Sequence, residues 1–149
     1  MHTFLGIDPG KKGALALFRE SELRVAVFDM PDTTLGLREL LKEFPPLTFG
    51  FLERPIYMGK NGIKSVTASA EAFGALKGAL VWSRVRFEII PPDKWKKAVG
   101  VTAVKGTSRE KATQLFPRDA GLFSRAMDDG RAEAALLAHY ACRVYRGKP

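Results

Sequence analysis

Five carboxylates stand where a chain can do chemistry. Asp8 closes a short apolar run, Phe4-Leu5-Gly6-Ile7, and precedes Pro9-Gly10. Glu53 closes a second run over residues 47–52 and precedes Arg54-Pro55. Asp128, Asp129 and Glu133 open the last apolar-periodic segment. Each has an ordinary explanation. Asp before Pro-Gly satisfies local amide donors in a turn. Asp128 or Asp129 can cap a helix, and Glu133 suits the positive end of its dipole. Capping accounts for one or two acids, but not for acids at the ends of two separate strands. Carboxylates brought together repel, and one of them is pushed to a higher pKa unless a cation intervenes. Hard divalent ions with oxygen ligands supply that cation, and Mg²⁺ suits one or two carboxylates plus a substrate phosphate. Two such ions ~4 Å apart activate a water on one side of a phosphodiester and stabilise the leaving oxygen on the other.

Composition narrows the partners. The chain has 149 residues, 46% of them apolar, which predicts one globular domain over 1–149 with a real core. Lys and Arg number 24 against 16 Asp and Glu, a net charge of +8. That excess points to a polyanion, nucleic acid ahead of a membrane surface. Cys142 is the single cysteine, and with only His2 and His139 beside it neither an intrachain disulfide nor a structural zinc site is expected. No signal-peptide pattern and no apolar run of membrane-spanning length is read in the sequence, so a cytoplasmic location is expected.

Three strands are predicted over residues 3–8, 14–18 and 23–28. They are joined by Pro-Gly-Lys-Lys-Gly and by Arg19-Glu20-Ser21-Glu22, short links that make antiparallel neighbours. Thr33 or Thr34 caps a helix to about Phe44, ended by Pro45-Pro46. The strand 47–52 then returns by a crossover, parallel to the first, so Glu53 emerges at the same edge as Asp8. A helix is expected from about 65 to 83, with Ala70, Gly74 and Gly78 on one ridge that close packing on a sheet or helix, or a dimer interface, would justify. A strand over 84–90 follows, then a short helix from Pro92 that carries Trp95, Lys96 and Lys97. Thr107 or Ser108 caps a helix to about Phe116, residues 118–127 read as irregular, and the last helix runs over about 130–145. The expected class is α/β: a mixed five-stranded sheet, three antiparallel strands then parallel ones, with helices on both faces.

Gly6-Ile7-Asp8-Pro9-Gly10, Phe51-Leu52-Glu53-Arg54-Pro55 and Asp128-Asp129-Gly130-Arg131-Ala132-Glu133-Ala134 together resemble the three acidic motifs of the RuvC-type Holliday junction resolvases, most of all their phage-type branch. The resemblance runs in order over nearly the whole chain. It implies an RNase H-like fold and a homodimer in a bacterial or phage-infected cell. It also implies paired, symmetric cleavage of four-way DNA junctions with Mg²⁺ or Mn²⁺, two ions per site. Carried over by position, Asp8, Glu53, Asp129 and Glu133 would be catalytic metal ligands, with Asp8 bridging both ions and Asp128 in reserve for Asp129. The chain departs from the pattern at position 130, a Gly where many relatives place the upstream Asp, and at Glu133, where they place Asp.

The resemblance also places a basic residue near the scissile phosphate, a role Lys105 could fill; equally, Lys105 is a solvent-facing lysine. Ser108 and nearby amides could hold a phosphate at a helix start. Lys11, Lys12, Arg54, Lys60, Lys94, Lys96, Lys97, Arg109 and Lys111 are candidate contacts to the DNA backbone, which position DNA without reading sequence. Tyr57, in the segment that reaches the junction centre in RuvC-like proteins, could stack on an unpaired base or fold onto the core. Met58 lies beside it. Trp82 and Trp95 are expected in the core or an interface, and His139 is expected to be structural. A nuclease for RNA–DNA hybrids or for branched DNA in general would share these features, since fold does not fix substrate. A junction-binding protein without catalysis would have no use for four acids that repel phosphate.

Overall fold

Apolar alternation organises the structure, a computed structural model that describes residues 1–56 and 62–149. In β1 (Thr3–Asp8) Phe4 faces one side of a sheet while Leu5 and Ile7 face the other, as the two-residue repeat of a strand requires. β2 (Ala14–Arg19) follows the same rule, with Ala14, Ala16 and Phe18 on the first side and Leu15 and Leu17 on the second. β3 (Arg24–Asp29) completes the antiparallel meander. β4 (Phe49–Glu53) and β5 (Phe87–Ile90) extend the sheet as parallel neighbours, giving the order β3-β2-β1-β4-β5.

Two cores lie on the two faces. One is covered by α1 (Thr34–Lys42) and α2 (Ile63–Trp82), which bury Leu37, Leu41, Phe73, Leu76 and Leu80 against Leu5, Ile7, Leu15 and Leu17. The other is covered by α3 (Pro92–Val99), α4 (Thr107–Leu115) and α5 (Asp129–Tyr145). α5 lies directly on β1. A Cβ at Gly6 would overlap Ala134 O and Ala138 N, so only glycine lets strand and helix backbones meet there. Gly6→Ala is therefore expected to cost about 3 kcal/mol, the high end of ordinary overpacking because backbone cannot step aside. A shift in the urea midpoint checks this; an unchanged midpoint would show that α5 can lift off β1 freely.

The sequence-based outline holds, with local differences. Thr33 caps α1, accepting from the Gly36 amide at 3.0 Å. Neither Thr107 nor Ser108 caps α4. Its N-cap is Gly106; Thr107 Oγ1 donates to Val104 O and Thr102 O, and Ser108 turns inward. Asp128 occupies the N-cap position of α5 without capping it, because its carboxylate accepts from the Arg125 amide and guanidinium instead. Part of the expected irregular segment is a 3₁₀ helix, Pro117–Phe123. It is pinned by buried Phe116 and Phe123 and by Asp119, which takes a two-pronged contact from Arg24 and the Val25 amide. The ridge of α2 is not closely packed: nothing among the described residues lies within 4 Å of a Cβ built on Gly74 or Gly78. Trp95 is wholly buried, whereas Trp82 is 81% exposed and belongs to no core. His139 sits against the rings of Phe18 and Phe116. No described helix is long and apolar enough to cross a membrane.

Candidate active site

The parallel pairing of β1 with β4 sets the site. Ile7 is in register with Leu52, so the next residues, Asp8 and Glu53, leave the sheet side by side at one edge. Glu133 arrives from the opposite direction, one turn into α5. The helix start is held against the β1–β2 turn: a Cβ at position 130 would overlap Lys12 O, so Gly130 is a packing requirement. Further clamps fix the same end. Arg131 forks onto Asp29 at 2.7 Å through both Nε and Nη2, and Arg125 holds the fully buried Asp128.

The result is a convergence of three carboxylates. One oxygen from each of Asp8, Glu53 and Glu133 lies within 4.8 Å of the others. Burial first, then the charges of Glu53 and Glu133, hold the Asp8 carboxyl well above the usual carboxylate range, and Lys96 offsets part of this. Burial and then Glu133 push Glu53 up to about 7, opposed by a hydrogen bond from Trp95 and by Lys96. The acids are under-compensated, and the donors are all oxygen. That combination suits a hard divalent cation.

Asp129 does not join the cluster. Its carboxylate accepts from Arg109 Nε at 2.9 Å, across to α4. Asp128 is equally committed to Arg125, which outweighs burial and holds its carboxyl below the ordinary range. The missing upstream acid at position 130 thus has no substitute among the described residues in this arrangement. Asp129→Asn is expected to leave Mn²⁺ affinity within about twofold of wild type while Asp8→Asn lowers it strongly; Mn²⁺ titration followed by electron paramagnetic resonance compares them. An equal loss in both variants would restore Asp129 as a ligand.

Three contacts were not legible in the sequence. Lys96, expected on the DNA side, is half-buried and pairs with Glu133 at 2.9 Å. Burial pulls its ammonium down, but Glu133 together with the charges of Glu53 and Asp8 outweighs that and raises it. Trp95 Nε1 donates to Glu53 Oε2 at 2.7 Å inside the core. Ser108 Oγ, on a buried residue, faces Glu133 Oε1 at 3.5 Å. All three lie on α3 or the start of α4, and a helical period alone does not say which side meets the strand ends.

The other candidate DNA contacts among the described residues are mostly solvent-facing. Lys11, Lys12, Arg54, Lys94, Lys97 and Lys105 are exposed, and none forms an ion pair with a described residue. Lys111 is half-buried on α4, and Arg109 is committed to Asp129. Tyr57, Met58 and Lys60 lie outside the described residues.

No protein-family model matches the chain, and no curated protein matches it in sequence. Solved structures do. RuvC of Thermus thermophilus in complex with a Holliday junction substrate is 20% identical, with 99% of this chain and 98% of that one covered and a TM-score of 0.62. A second T. thermophilus RuvC structure is 19% identical over 98% and 97%, with a TM-score of 0.61. At this identity the likeness establishes the fold: the chain has the RuvC form of the RNase H-like architecture, end to end.

Proposed function

We propose that the protein is a metal-dependent endonuclease that resolves four-way DNA junctions. The observation that carries this is the convergence of Asp8, Glu53 and Glu133 within 4.8 Å at the edge of a RuvC-like sheet, in a chain of net charge +8. A basic body draws DNA in, and an acidic centre that repels phosphate is productive only when it carries cations.

Asp8, Glu53 and Glu133 would hold Mg²⁺ or Mn²⁺, with two ions the expected complement. Bound there, the metal supplies Lewis acidity and a water activated for attack on phosphorus. The protein's own side chains do the rest. β1 and β4 fix Asp8 and Glu53 without loop entropy, since both sit at strand ends. Lys96 neutralises Glu133 and lies within electrostatic reach of the other two acids, which keeps the cluster from forcing itself apart. The exposed cations would position the phosphate backbone; Lys105, on the loop before α4, is the candidate nearest in role to a charge-stabilising group. Two sites related by a dimer axis would suit a two-fold junction, so a homodimer is the expected working form, in the cytoplasm of a bacterial or phage-infected cell.

A substrate panel tests the reading. A four-way junction, a flap, an RNA–DNA hybrid and a linear duplex of matched sequence are incubated with Mn²⁺. Junction cleavage at least about tenfold faster than the others supports the proposal. Preference for the hybrid, or equal cutting of all four, would replace it with a different nuclease of the same fold.

A further inference from the structure

Glu53 is 9% exposed, and the only described side-chain donor to its carboxylate is an indole. Trp95 is 0% exposed and packs in the core beneath α3, with its Nε1 2.7 Å from Glu53 Oε2. Oε1 carries no hydrogen bond from a described residue. The very next residue, Lys96, reaches Glu133. α3 therefore touches two of the three acids through consecutive side chains, one neutral and one charged.

The neutrality of the indole matters. With the Lys96 ammonium already on Glu133, a second cationic group on Glu53 would leave the cluster little charge for a divalent ion. An indole N–H donates and never accepts, and it carries no net charge. It fixes a flexible carboxylate while adding no charge to it and leaving one oxygen unengaged. Ordering a free Glu side chain costs conformational entropy, and folding meets that cost here before any ligand arrives. The rigid aromatic body, wholly packed, cannot swing away.

We propose that Trp95 is a positioning residue for metal binding: its buried indole N–H pre-orients Glu53 so that the acid cluster takes up a divalent cation without first reorganising. The inference rests on the divalent-metal reading of Asp8, Glu53 and Glu133. The alternative is that Glu53 merely satisfies a buried indole, which usually requires a partner. The two differ in what happens when donor and need are removed together.

Mn²⁺ affinity of the full-length protein is measured by electron paramagnetic resonance for wild type, Trp95→Phe and Glu53→Gln. Outer-shell donors are generally worth 10–100-fold in metal affinity, so Trp95→Phe is expected to weaken Mn²⁺ binding about tenfold. The Mn²⁺ concentration for half-maximal cleavage rises by the same factor, cleavage recovers at saturating Mn²⁺, and junction affinity in EDTA stays unchanged. Because phenylalanine leaves a gap in the core, benzothienylalanine at position 95, with sulfur in place of N–H, repeats the measurement at constant shape. Wild-type Mn²⁺ affinity in the benzothienylalanine protein overturns the inference. Mn²⁺ binding that Glu53→Gln leaves untouched would instead overturn the metal reading itself.

Discussion

Asp8→Asn is expected to abolish cleavage, by about 10³-fold or more, while the protein still binds four-way junctions. Asp8 lies at the centre of the electrostatic conflict, pressed by burial and by both neighbouring acids. Its amide would keep the shape of the β1 edge and remove one of the three clustered carboxylates among the described residues. Folding should not suffer, because the substitution relieves repulsion and Asp8 accepts no side-chain hydrogen bond that the fold depends on among the described residues. Gel-shift binding beside a cleavage assay separates the two effects. Loss of junction binding together with cleavage would give Asp8 a structural role instead. Retained cleavage would remove it from the chemistry.

The second large effect is on stability, and its sign is unusual. Glu53 rises from an ordinary 4.5 to about 7 on folding, and Asp8 rises as well. Between those limits the folded protein holds more protons than the unfolded chain, so stability must fall as pH rises through that window. For Glu53 alone the change corresponds to about 3 kcal/mol. At this chain length that is a fall in melting temperature of roughly 10 °C between pH 5 and pH 8 in EDTA. Asp29, Asp119 and Asp128 carry the opposite sign. Their arginine partners hold them below the ordinary range, so their contribution is complete above about pH 4 and is lost only on acidification. Mn²⁺ should reverse the neutral-pH loss, raising the melting temperature most at pH 8, where the carboxylates are ionised without proton release. Calorimetry at pH 5, 6.5 and 8, with EDTA or Mn²⁺, checks both halves. A melting temperature in EDTA that climbs steadily to pH 8 would mean that the three acids are not in conflict.

Much of this was legible because strands announce themselves simply. Runs ending in Asp8 and Glu53, a meander and one crossover were enough to put both acids at the same edge, and the register of Ile7 with Leu52 bears that out. The start of α5 was harder. Asp129 and Glu133 share a helical face by spacing, yet Arg109 on α4 takes Asp129, and no local pattern couples residues twenty apart. Gly130 reads as a lost acid in sequence; in space it is the residue that lets α5 meet Lys12 O. Lys96 shows the same limit. A lysine on a short amphipathic helix looks solvated until the strand ends beside it are known to carry carboxylates. Trp95 reads from its type as core or interface, but its donor role depends on a side-chain direction that only packing decides.

The most direct test of the central claim is cleavage of an end-labelled four-way junction with Mg²⁺, Mn²⁺ or EDTA, beside a linear duplex of the same sequence. Paired cuts at symmetric positions in the junction, present with either metal and absent in EDTA, are the predicted result. Cutting that survives EDTA, or no cutting with either metal while the junction is bound, would contradict the assignment of Asp8, Glu53 and Glu133 as a metal-dependent nuclease centre.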